Sequence, residues 1–496
     1  MKSIKMALLA GAAIAVSAAA AQADDLEALK AQIETLNARV AAMEAAPSVP
    51  AGYSLLAISE GERVNTPGLG MSTREAAAYG DKATIISVLP TADAPAGTTI
   101  TWSGYARAGL VYTNSHSQLD GKAYAWNEAT DEWDKIANGN FNNNDEDNGD
   151  IDVKARGQIR VTASTDTAVG EVGVDMRLRA NFNGNGDGDV YMDVAWGYWA
   201  MTPEMTFGGG YADTLGKIGY GLDGSCNCYY TDNADAADFD PGKTTQMRLA
   251  YGSGPFSMAI ALEDASIRAG GDDYDADDSY NGDRLGAAAE LKYSGDTISG
   301  EISGVWRDVK DFDGNLTVAG DKYTNVEIDV DAIWQVGAGL GFALGDMANL
   351  SFAAAMGGGP AYKTFEGEIT KASPYNQTWW GVSALASANL SDEIHAEIGA
   401  AYKNRDGDST EFDDGEGTSA SSDGIDSNEW TILGGLYYDP VDQLTIGLEG
   451  EWISNEASAT VYEDVDGDGR DSGDYKYKLD GENESFQVDL VSVWRF

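Results

Sequence analysis

The sequence predicts an all-β fold in which sixteen antiparallel strands close into a membrane-spanning barrel, and three observations support this prediction. Apolar and polar residues alternate with period two from about residue 99 onward. Long and short connections alternate between these stretches along the chain. After the first 23 residues, no stretch offers the ~20 consecutive apolar residues that a membrane helix needs. Strands can still cross a membrane, because their lipid-facing and lumen-facing residues average out in a hydropathy scan.

The alternation is clear from the first predicted strand onward. Trp102 and Leu110 share its apolar face, while Tyr105 and Arg107 lie on the opposite face. Two faces of such different polarity indicate a sheet between an apolar and a polar environment. The sixteen strands are predicted near residues 99–113, 151–165, 168–182, 189–201, 204–213, 244–254, 256–265, 283–295, 297–309, 325–345, 350–357, 379–391, 393–405, 428–439, 442–455 and 484–496.

The connections favour a membrane barrel over a soluble β-sandwich. Gaps after odd-numbered strands are mostly long and rich in Asp, Asn and Gly, whereas gaps after even-numbered strands are tight turns. Short turns at one rim and long loops at the other are typical of outer-membrane barrels, and a sandwich would not separate its connections so regularly. Aromatic residues near strand ends on the apolar parity match the expected interfacial girdles: Trp102, Trp196, Tyr198, Tyr251, Tyr293, Trp306, Trp380, Trp430 and Trp452.

The N-terminal part predicts export and a short coiled coil. Lys2 and Lys5 precede an Ala-rich apolar run with a small-x-small cleavage pattern, which indicates a secretory signal peptide. An apolar seam spaced three and four residues apart follows, typical of a coiled coil, although a helix packing on its own chain is an alternative. The seam consists of Leu26, Leu29, Ile33, Leu36, Val40 and Met43. The predicted organisation is 1–23 signal peptide, 24–46 periplasmic coiled coil, 47–98 periplasmic spacer and 99–496 transmembrane barrel.

Charge and cysteine content narrow the partners. The formal net charge of −49 leaves no basic stripe, so nucleic-acid binding is excluded. Cys226 and Cys228 are separated by one residue, and a bridge between them would close a small, strained ring. We therefore expect two unpaired loop thiols, with a bridge between subunits as the alternative.

Two strand motifs carry a resemblance to a known family. The opening strand runs Thr-Ile-Thr-Trp-Ser-Gly-Tyr-Ala-Arg-Ala-Gly over 99–109, and the last strand carries Trp494 and Phe496 on its apolar parity. Together with the signal and the coil, these features resemble the alphaproteobacterial general porins. The resemblance implies a homotrimeric diffusion channel whose third long loop folds into the lumen. The final strand resembles the signal read by the barrel-assembly machinery.

The charges on the lumen parity suggest a constriction. A barrel of this strand number leaves an aqueous lumen, whose selectivity follows from its lining charges. The basic candidates cluster on the early strands: Arg107, Lys154, Arg156, Arg160, Arg177, Arg179 and Arg248. The third long connection carries the acidic candidates: Asp223, Asp232, Asp235, Asp238 and Asp240. We expect these groups to face each other, with cation preference from the acid excess. The alternative is that the arginines are solvated wall residues.

One external loop suggests calcium. Asp464, Asp466 and Asp468 alternate before a glycine, as in the first half of a calcium-binding loop, but the twelfth position is Tyr475 rather than the usual Glu. Soluble Asp/Gly-rich turns are the alternative explanation. No other cofactor is expected.

The sequence therefore predicts a non-enzymatic outer-membrane porin that allows passive diffusion of small hydrophilic solutes and ions. No nucleophile motif, phosphate loop or Cys/His metal spacing is present. We place the barrel in the lipid bilayer of the bacterial outer membrane and the coil in the periplasm, with peptidoglycan as a further possible partner. A structural tether to the cell wall and a substrate-specific channel are the alternative functions.

Overall fold

A computed structural model describes most of the chain from residue 55 onward. The predicted signal peptide (1–23) and coiled coil (24–46) lie outside the described residues and stay predictions. The described ranges are 55–89, 97–127, 132–139, 146–183, 188, 190–231, 236, 238–265, 267–268, 275–276, 284–310, 312–318, 321–365, 368–413, 419–464 and 475–496.

The chain divides into two compact units. One comprises Glu60–Thr84 together with Ile100–Phe496, and the described residues of the other are 55–59, 85–89 and 97–99. Residues 60–84, predicted as part of a spacer before the barrel, therefore belong to the same compact unit as the barrel strands. The elements before the barrel are β1 (Leu55–Glu62), α1 (Thr73–Tyr79) and β2 (Lys82–Leu89).

Sixteen long strands form a closed antiparallel barrel, which confirms the predicted fold class and strand count. Each pairs with the next barrel strand along the chain, and the last of them (Tyr475–Arg495) pairs antiparallel with the first (Thr98–Asn127) to close the ring. The barrel strands are β3 (Thr98–Asn127), β5 (Glu146–Thr167), β6 (Gly170–Asn183), β7 (Val190–Ala200), β8 (Met205–Asp213), β9 (Lys243–Ser253), β10 (Phe256–Asp264), β13 (Leu285–Ser294), β14 (Ile298–Arg307), β18 (Ile333–Leu344), β19 (Ala348–Phe365), β20 (Glu368–Asn389), β21 (Ile394–Gly407), β23 (Ser419–Val441), β24 (Leu444–Asp464) and β25 (Tyr475–Arg495).

Shorter elements occupy the connections. The third long connection contains one turn of helix, α2 (Gly221–Ser225). No described helix is long and apolar enough to cross a membrane. The accessory strands are β4 (Glu132–Gly139), β11 (Ile267–Arg268), β12 (Asp275–Ala276), β15 (Val309–Lys310), β16 (Phe312–Val318), β17 (Asp321–Ile328) and β22 (Thr410–Asp413).

Several barrel strands are longer than predicted. The ladder between β3 and β25 continues from Tyr105 as far as Ala125, so the first predicted loop begins as paired strand. In contrast, the strand predicted over 325–345 starts only at Ile333, because Asp321–Ile328 pairs with Phe312–Val318 instead. The alternating pattern locates the central part of each strand well. The paired extensions beyond it are polar on both faces, so they lack the apolar face from which a strand is predicted.

The barrel wall has an apolar outside and a polar inside. On β3, Trp102 and Leu110 are exposed, whereas Ser103 and Arg107 are buried on the opposite face. Exposed large apolar residues recur on the outer parity of the other barrel strands. This arrangement is the reverse of a soluble protein, in which apolar side chains fill the interior.

Two predicted girdle aromatics face inward instead. Trp196 and Tyr198 are buried, because a register shift between β6 and β7 changes the parity of β7. Glycines opposite them provide the room: a Cβ on Gly208 would come within 2.5 Å of Trp196, and one on Gly173 would come equally near Tyr198. The girdle prediction is therefore wrong for these two residues.

Candidate functional site

A cluster of buried ion pairs lines the inner face of β5 and β6. Arg160 and Arg177 both contact the carboxylate of Asp175, at nitrogen–oxygen distances of 2.9 and 3.3 Å. The three side chains are at most 2% exposed. Since an unpaired buried charge is strongly destabilising, Asp175 holds the two predicted pore arginines in fixed positions. We call this stretch of wall, with the neighbouring inner faces of β7 and β9, the basic arc.

A second acid extends the basic arc onto β7. Asp193 is fully buried and accepts a salt bridge from Arg179 at 2.9 Å, as well as one from Lys243 on β9. Asp175 and Asp193 were not among the predicted site residues. Their position on the inner parity next to arginines was the available signal, but which acid pairs with which arginine depends on strand register.

The remaining basic candidates are also engaged. The Arg107 guanidinium lies 4.6 Å from the ring centre of Tyr230, a cation–π contact. The Tyr230 hydroxyl donates to the backbone oxygen of Lys154 at 3.2 Å. Arg156 Nε donates to Asn181 Oδ1 at 2.6 Å. These groups bring β3 and β5 together with a residue from the third long connection.

Arg248 on β9 completes the set of basic candidates. Its guanidinium lies 5.1 Å from the ring of the inward-facing Trp196 and donates to the backbone oxygen of Gly68 at 3.0 Å. The structure therefore places all seven basic candidates on β3, β5, β6 and β9, with Arg107, Arg160, Arg177 and Arg248 buried. Whether they line a solute path stays a prediction.

Residues 60–84, here called the inner segment, run along the basic arc. Thr66 is buried, and its hydroxyl donates to Asp175 Oδ2 at 2.8 Å. Arg160 donates to the backbone oxygen of Val64 at 2.9 Å. The arginines of the barrel wall therefore bind the backbone of the inner segment as well as carboxylates. The sequence did not predict this contact, since nothing in 47–98 indicated an interaction with the barrel.

Helix α1 of the inner segment places an acid against two arginines. Glu75 accepts from Arg177 at 2.7 Å and from Arg179 at 3.5 Å. Burial opposes ionisation of Glu75, but Arg177, Lys243 and Arg179 outweigh it and lower its pKa below the usual range. Glu75 is therefore ionised at neutral pH.

The ends of α1 are fixed by local geometry. Ser72 caps its N-terminus by accepting from the Glu75 backbone N–H at 3.2 Å. Gly80, at φ 69°, ends it in a conformation that favours glycine. In the last turn, Tyr79 packs edge-on against Tyr105 at 5.3 Å, and Arg495 donates to the backbone oxygen of Ala77 at 2.8 Å.

We call the third long connection, residues 214–242, the inner loop, and its described residues (214–231, 236 and 238–242) include several that contact inward-facing residues of the opposite wall. The backbone N–H groups that open α2 donate to wall hydroxyls: Gly221 to Ser351 at 2.8 Å and Leu222 to Ser383 at 3.2 Å. Leu222 itself is fully buried. The inward fold of this loop, which the resemblance implies, is present in the structure.

Carboxylates of the later strands hold the inner loop by its backbone. Glu449 accepts from the N–H groups of Tyr229 and Tyr230 at 2.7 and 2.9 Å. Glu397 accepts from the Asn227 N–H at 2.9 Å and from its side-chain amide at 2.7 Å. Hydrogen bonds of this charge-assisted kind are roughly twice as strong as neutral ones.

Further along the loop, Glu429 accepts from the Ala236 N–H at 2.6 Å, and Glu301 accepts from the Gly219 N–H. Gln335 donates to the backbone oxygen of Phe239 at 2.8 Å. We call this stretch, from β14 to β25, the acidic wall. The role of Glu301, Glu397 and Glu449 as anchors of the inner loop was not predicted from the sequence.

The acidic candidates of the inner loop have different surroundings. Asp223 forms a 2.9 Å salt bridge with Arg74 of the inner segment, and Asp240 forms one of 2.5 Å with Lys217. Asp238 is half-buried, and desolvation together with nearby Asp223 and Asp240 raises its pKa to about 8. Asp232 and Asp235 lie outside the described residues, so their position stays a prediction.

Cys226 and Cys228 form a disulfide in the structure, with a Cα–Cα distance of 5.2 Å. The prediction of unpaired thiols is therefore wrong. That distance lies in the ordinary range for a bridge even though only Asn227 separates the two cysteines. Glu397 accepts from both the backbone N–H and the side-chain amide of Asn227. Both cysteines are buried against Leu222 and Leu433.

A cavity of about 420 Å³ lies between the inner segment, the inner loop and the wall. Its charged lining includes Asp213, Lys217, Arg248, Glu290 and Lys292. Charges of both signs on facing elements can orient dipolar solutes and bind small ions.

No group of three or more His, Cys, Asp or Glu that could hold a metal ion occurs among the described residues. The side chain of Asp464, and the whole of Asp466 and Asp468, lie outside the described part of the chain. The calcium site therefore stays a prediction.

No protein-family model matches the chain, and no curated protein does. Among solved structures, it is similar to the outer membrane channel DcaP of Acinetobacter baumannii, with 13% identity and a TM-score of 0.46, over 80% of this chain and 97% of that one. It is also similar to an anion-selective porin from Comamonas acidovorans, with 12% identity and a TM-score of 0.46, over 80% and 100%. A loop-deletion mutant of OmpT, an outer membrane protein of Vibrio cholerae, has 12% identity and a TM-score of 0.46, over 80% and 99%.

Proposed function

We propose that this chain is a bacterial outer-membrane channel for the passive diffusion of small hydrophilic solutes and ions. The observation that carries the proposal is the closed sixteen-strand barrel with an apolar outside and a charged inside. A barrel of that strand number is wide enough to leave an aqueous passage. The inner loop narrows this passage, and its fixed backbone makes the narrowing a permanent feature of the fold.

The test is swelling of liposomes that contain the purified full-length protein, measured with neutral sugars of increasing size. A passive channel gives swelling rates that fall steeply with solute size and do not saturate with concentration. The control is the same lipid with protein that was unfolded before reconstitution. Rates no higher than in that control, from protein shown to be folded, would contradict the proposal.

We further propose cation preference. Arg160, Arg177 and Arg179 of the basic arc are paired with Asp175, Asp193 and Glu75, so these three arginines contribute little net positive field. The chain as a whole has a formal net charge of −49. A reversal potential in a potassium chloride gradient that lies toward the potassium equilibrium potential supports this proposal, and one toward chloride overturns it.

The assembly we propose is a homotrimer, as in the porin family that the opening strand resembles. In that assembly the coil at 24–46 would join the three subunits on the periplasmic side. Native mass spectrometry of detergent-extracted protein tests the trimer, and deletion of 24–46 tests whether the coil contributes to it.

A further inference from the structure

The inner segment contacts the basic arc on one side and the inner loop on the other. On one side, Glu75 pairs with Arg177 at 2.7 Å. On the other, the adjacent residue Arg74 pairs with Asp223 of the inner loop at 2.9 Å. Two consecutive residues of α1 therefore link the basic arc to the inner loop. A chain in this position lies where solute would pass.

Arginines from three different strands fix the path of the inner segment. Arg160, Arg248 and Arg495 donate to backbone oxygens along it, at distances of 2.9, 3.0 and 2.8 Å. The accepting oxygens belong to Val64, Gly68 and Ala77. Because the contacts are spread over fourteen positions of chain, the segment is held along its length rather than at one point.

Apolar packing adds to these polar contacts. Leu69 packs against a buried cluster that includes Trp196, and Met71 packs against one that includes Tyr105. Ala78 and Tyr79 are themselves part of the latter cluster. The combination of ion pairs, backbone hydrogen bonds and buried apolar contacts is typical of a built structural element.

The segment also changes the charge that the basic arc presents. Glu75 lies against Arg177 and Arg179, and Thr66 binds the acid shared by Arg160 and Arg177. Removing the segment would expose these guanidinium groups to water and leave them without one of their carboxylates. Since lumen charge determines ion selectivity, the segment affects selectivity as well as width.

We propose that residues 64–80 form a second constriction element, which narrows the lumen beside the inner loop and masks the arginines of the basic arc. This proposal rests on the proposed channel function and deepens it. The first constriction is the inner loop, bound to the acidic wall; the second is the inner segment, bound to the basic arc. Conductance and ion selectivity depend on both.

The structure offers a clean deletion. The Arg63 N–H donates to the backbone oxygen of Asp81 at 2.7 Å, so the residues on either side of 64–80 already lie next to each other. Replacing residues 64–80 by Asn-Gly joins them through a two-residue hairpin turn and leaves every barrel strand intact. The deletion variant and the unaltered chain are compared in planar bilayers at matched salt, after circular dichroism and heat-dependent gel mobility have shown that both are folded.

We expect the deletion to raise the single-channel conductance at least about two-fold and to shift the reversal potential toward anions. A silent unaltered chain beside a conducting deletion variant also supports the proposal, because the segment then closes the lumen. Equal conductance and equal reversal potential in the two proteins overturn the second constriction while leaving the channel function standing. Silence of both folded proteins overturns the channel function itself.

A point variant tests the charge argument separately. Glu75→Gln removes the carboxylate against Arg177 and Arg179 but keeps its size, so we expect a smaller shift of the reversal potential toward anions. Glu62→Gln is the matched control, because it makes the same charge change at an exposed position of the same segment. Equal reversal potentials for the two variants would overturn the masking of the arginines by Glu75.

Discussion

The basic arc binds the inner segment and the acidic wall binds the inner loop, and the two walls do so with groups of opposite charge. On the basic arc, guanidinium groups donate to carboxylates and to backbone oxygens of the inner segment, as Arg160 does to Asp175 and Val64. On the acidic wall, carboxylates accept from backbone N–H groups of the inner loop, as Glu449 does from Tyr229. Each wall uses its own charge to satisfy the backbone group of the opposite polarity.

This difference shows that lumen charges cannot be added up as if all of them faced solvent. Several of these charges are buried and hydrogen-bonded, as in Arg177, Asp175 and Glu449. Their main effect is therefore to fix the positions of the side chains and backbone that they contact. Buried charges that are fully paired stabilise one conformation but contribute a reduced field at a distance. Under the proposed function, ion selectivity therefore depends on the charged groups that stay exposed to the lumen.

The largest expected effect comes from breaking the basic arc at its centre. Asp175→Asn leaves Arg160 and Arg177 buried with less compensating charge, which should lower the free energy of unfolding by about 3–5 kcal/mol. It should also loosen the inner segment and raise conductance. Urea unfolding in detergent micelles measures the loss, with Asp392→Asn in an exposed turn as the control. A loss no larger than that of the control would show that Asp175 does not hold the arc together.

Weakening the acidic wall should lower the free energy of unfolding by less than Asp175→Asn does. Glu449→Gln weakens the acceptor for two buried backbone N–H groups and the Tyr437 hydroxyl, and we expect a loss of about 2 kcal/mol. Because the inner loop is then held less tightly, single-channel currents should also become noisier. Glu456→Gln, at an exposed position of the same strand, is the matched control. Quiet currents and unchanged stability in Glu449→Gln would contradict the anchoring role.

Removing the disulfide of the inner loop should lower the free energy of unfolding by less than either of these substitutions. Replacing both Cys226 and Cys228 by Ser removes a bridge that closes a very short loop, so the expected loss is at most about 2 kcal/mol. Alkylation of the unfolded protein followed by mass spectrometry, with and without reductant, tests whether the bridge exists. Two alkylated thiols without reductant would contradict the structure at this point.

The smallest expected effect is a pH dependence of selectivity. Burial, Asp223 and Asp240 raise the pKa of Asp238 to about 8, although nearby Lys403 opposes the shift. The carboxyl is therefore mostly protonated at pH 7 and gains its negative charge as the pH rises to 9. Cation preference should increase slightly over this interval, as measured by the reversal potential. Asp238→Asn should abolish the change; a variant that kept it would assign the effect to another group.

The sequence predicted the barrel because its alternation and its connections are local patterns. Strand count and ring closure follow from such patterns, as the ladder from β25 back to β3 confirms. The inward turn of Trp196 was missed, since a single register shift reverses parity and leaves no trace in residue type.

The site was harder to predict than the fold. The positions of Arg160 and Arg177 on the inner face were evident from parity, but their shared partner Asp175 and the contact with Glu75 bring together residues up to about a hundred positions apart. No motif in residues 60–84 indicated that they belong with the barrel. A short helix and two flanking strands gain their stability from tertiary contacts, which a sequence does not display.

The most direct test of the channel function is the single-channel conductance of the purified full-length protein in a planar bilayer. The proposed function predicts discrete ohmic current steps, arriving in groups of three for a trimer, with a reversal potential toward potassium in a potassium chloride gradient. Bilayers that stay silent, with protein shown to be folded and inserted, would contradict it.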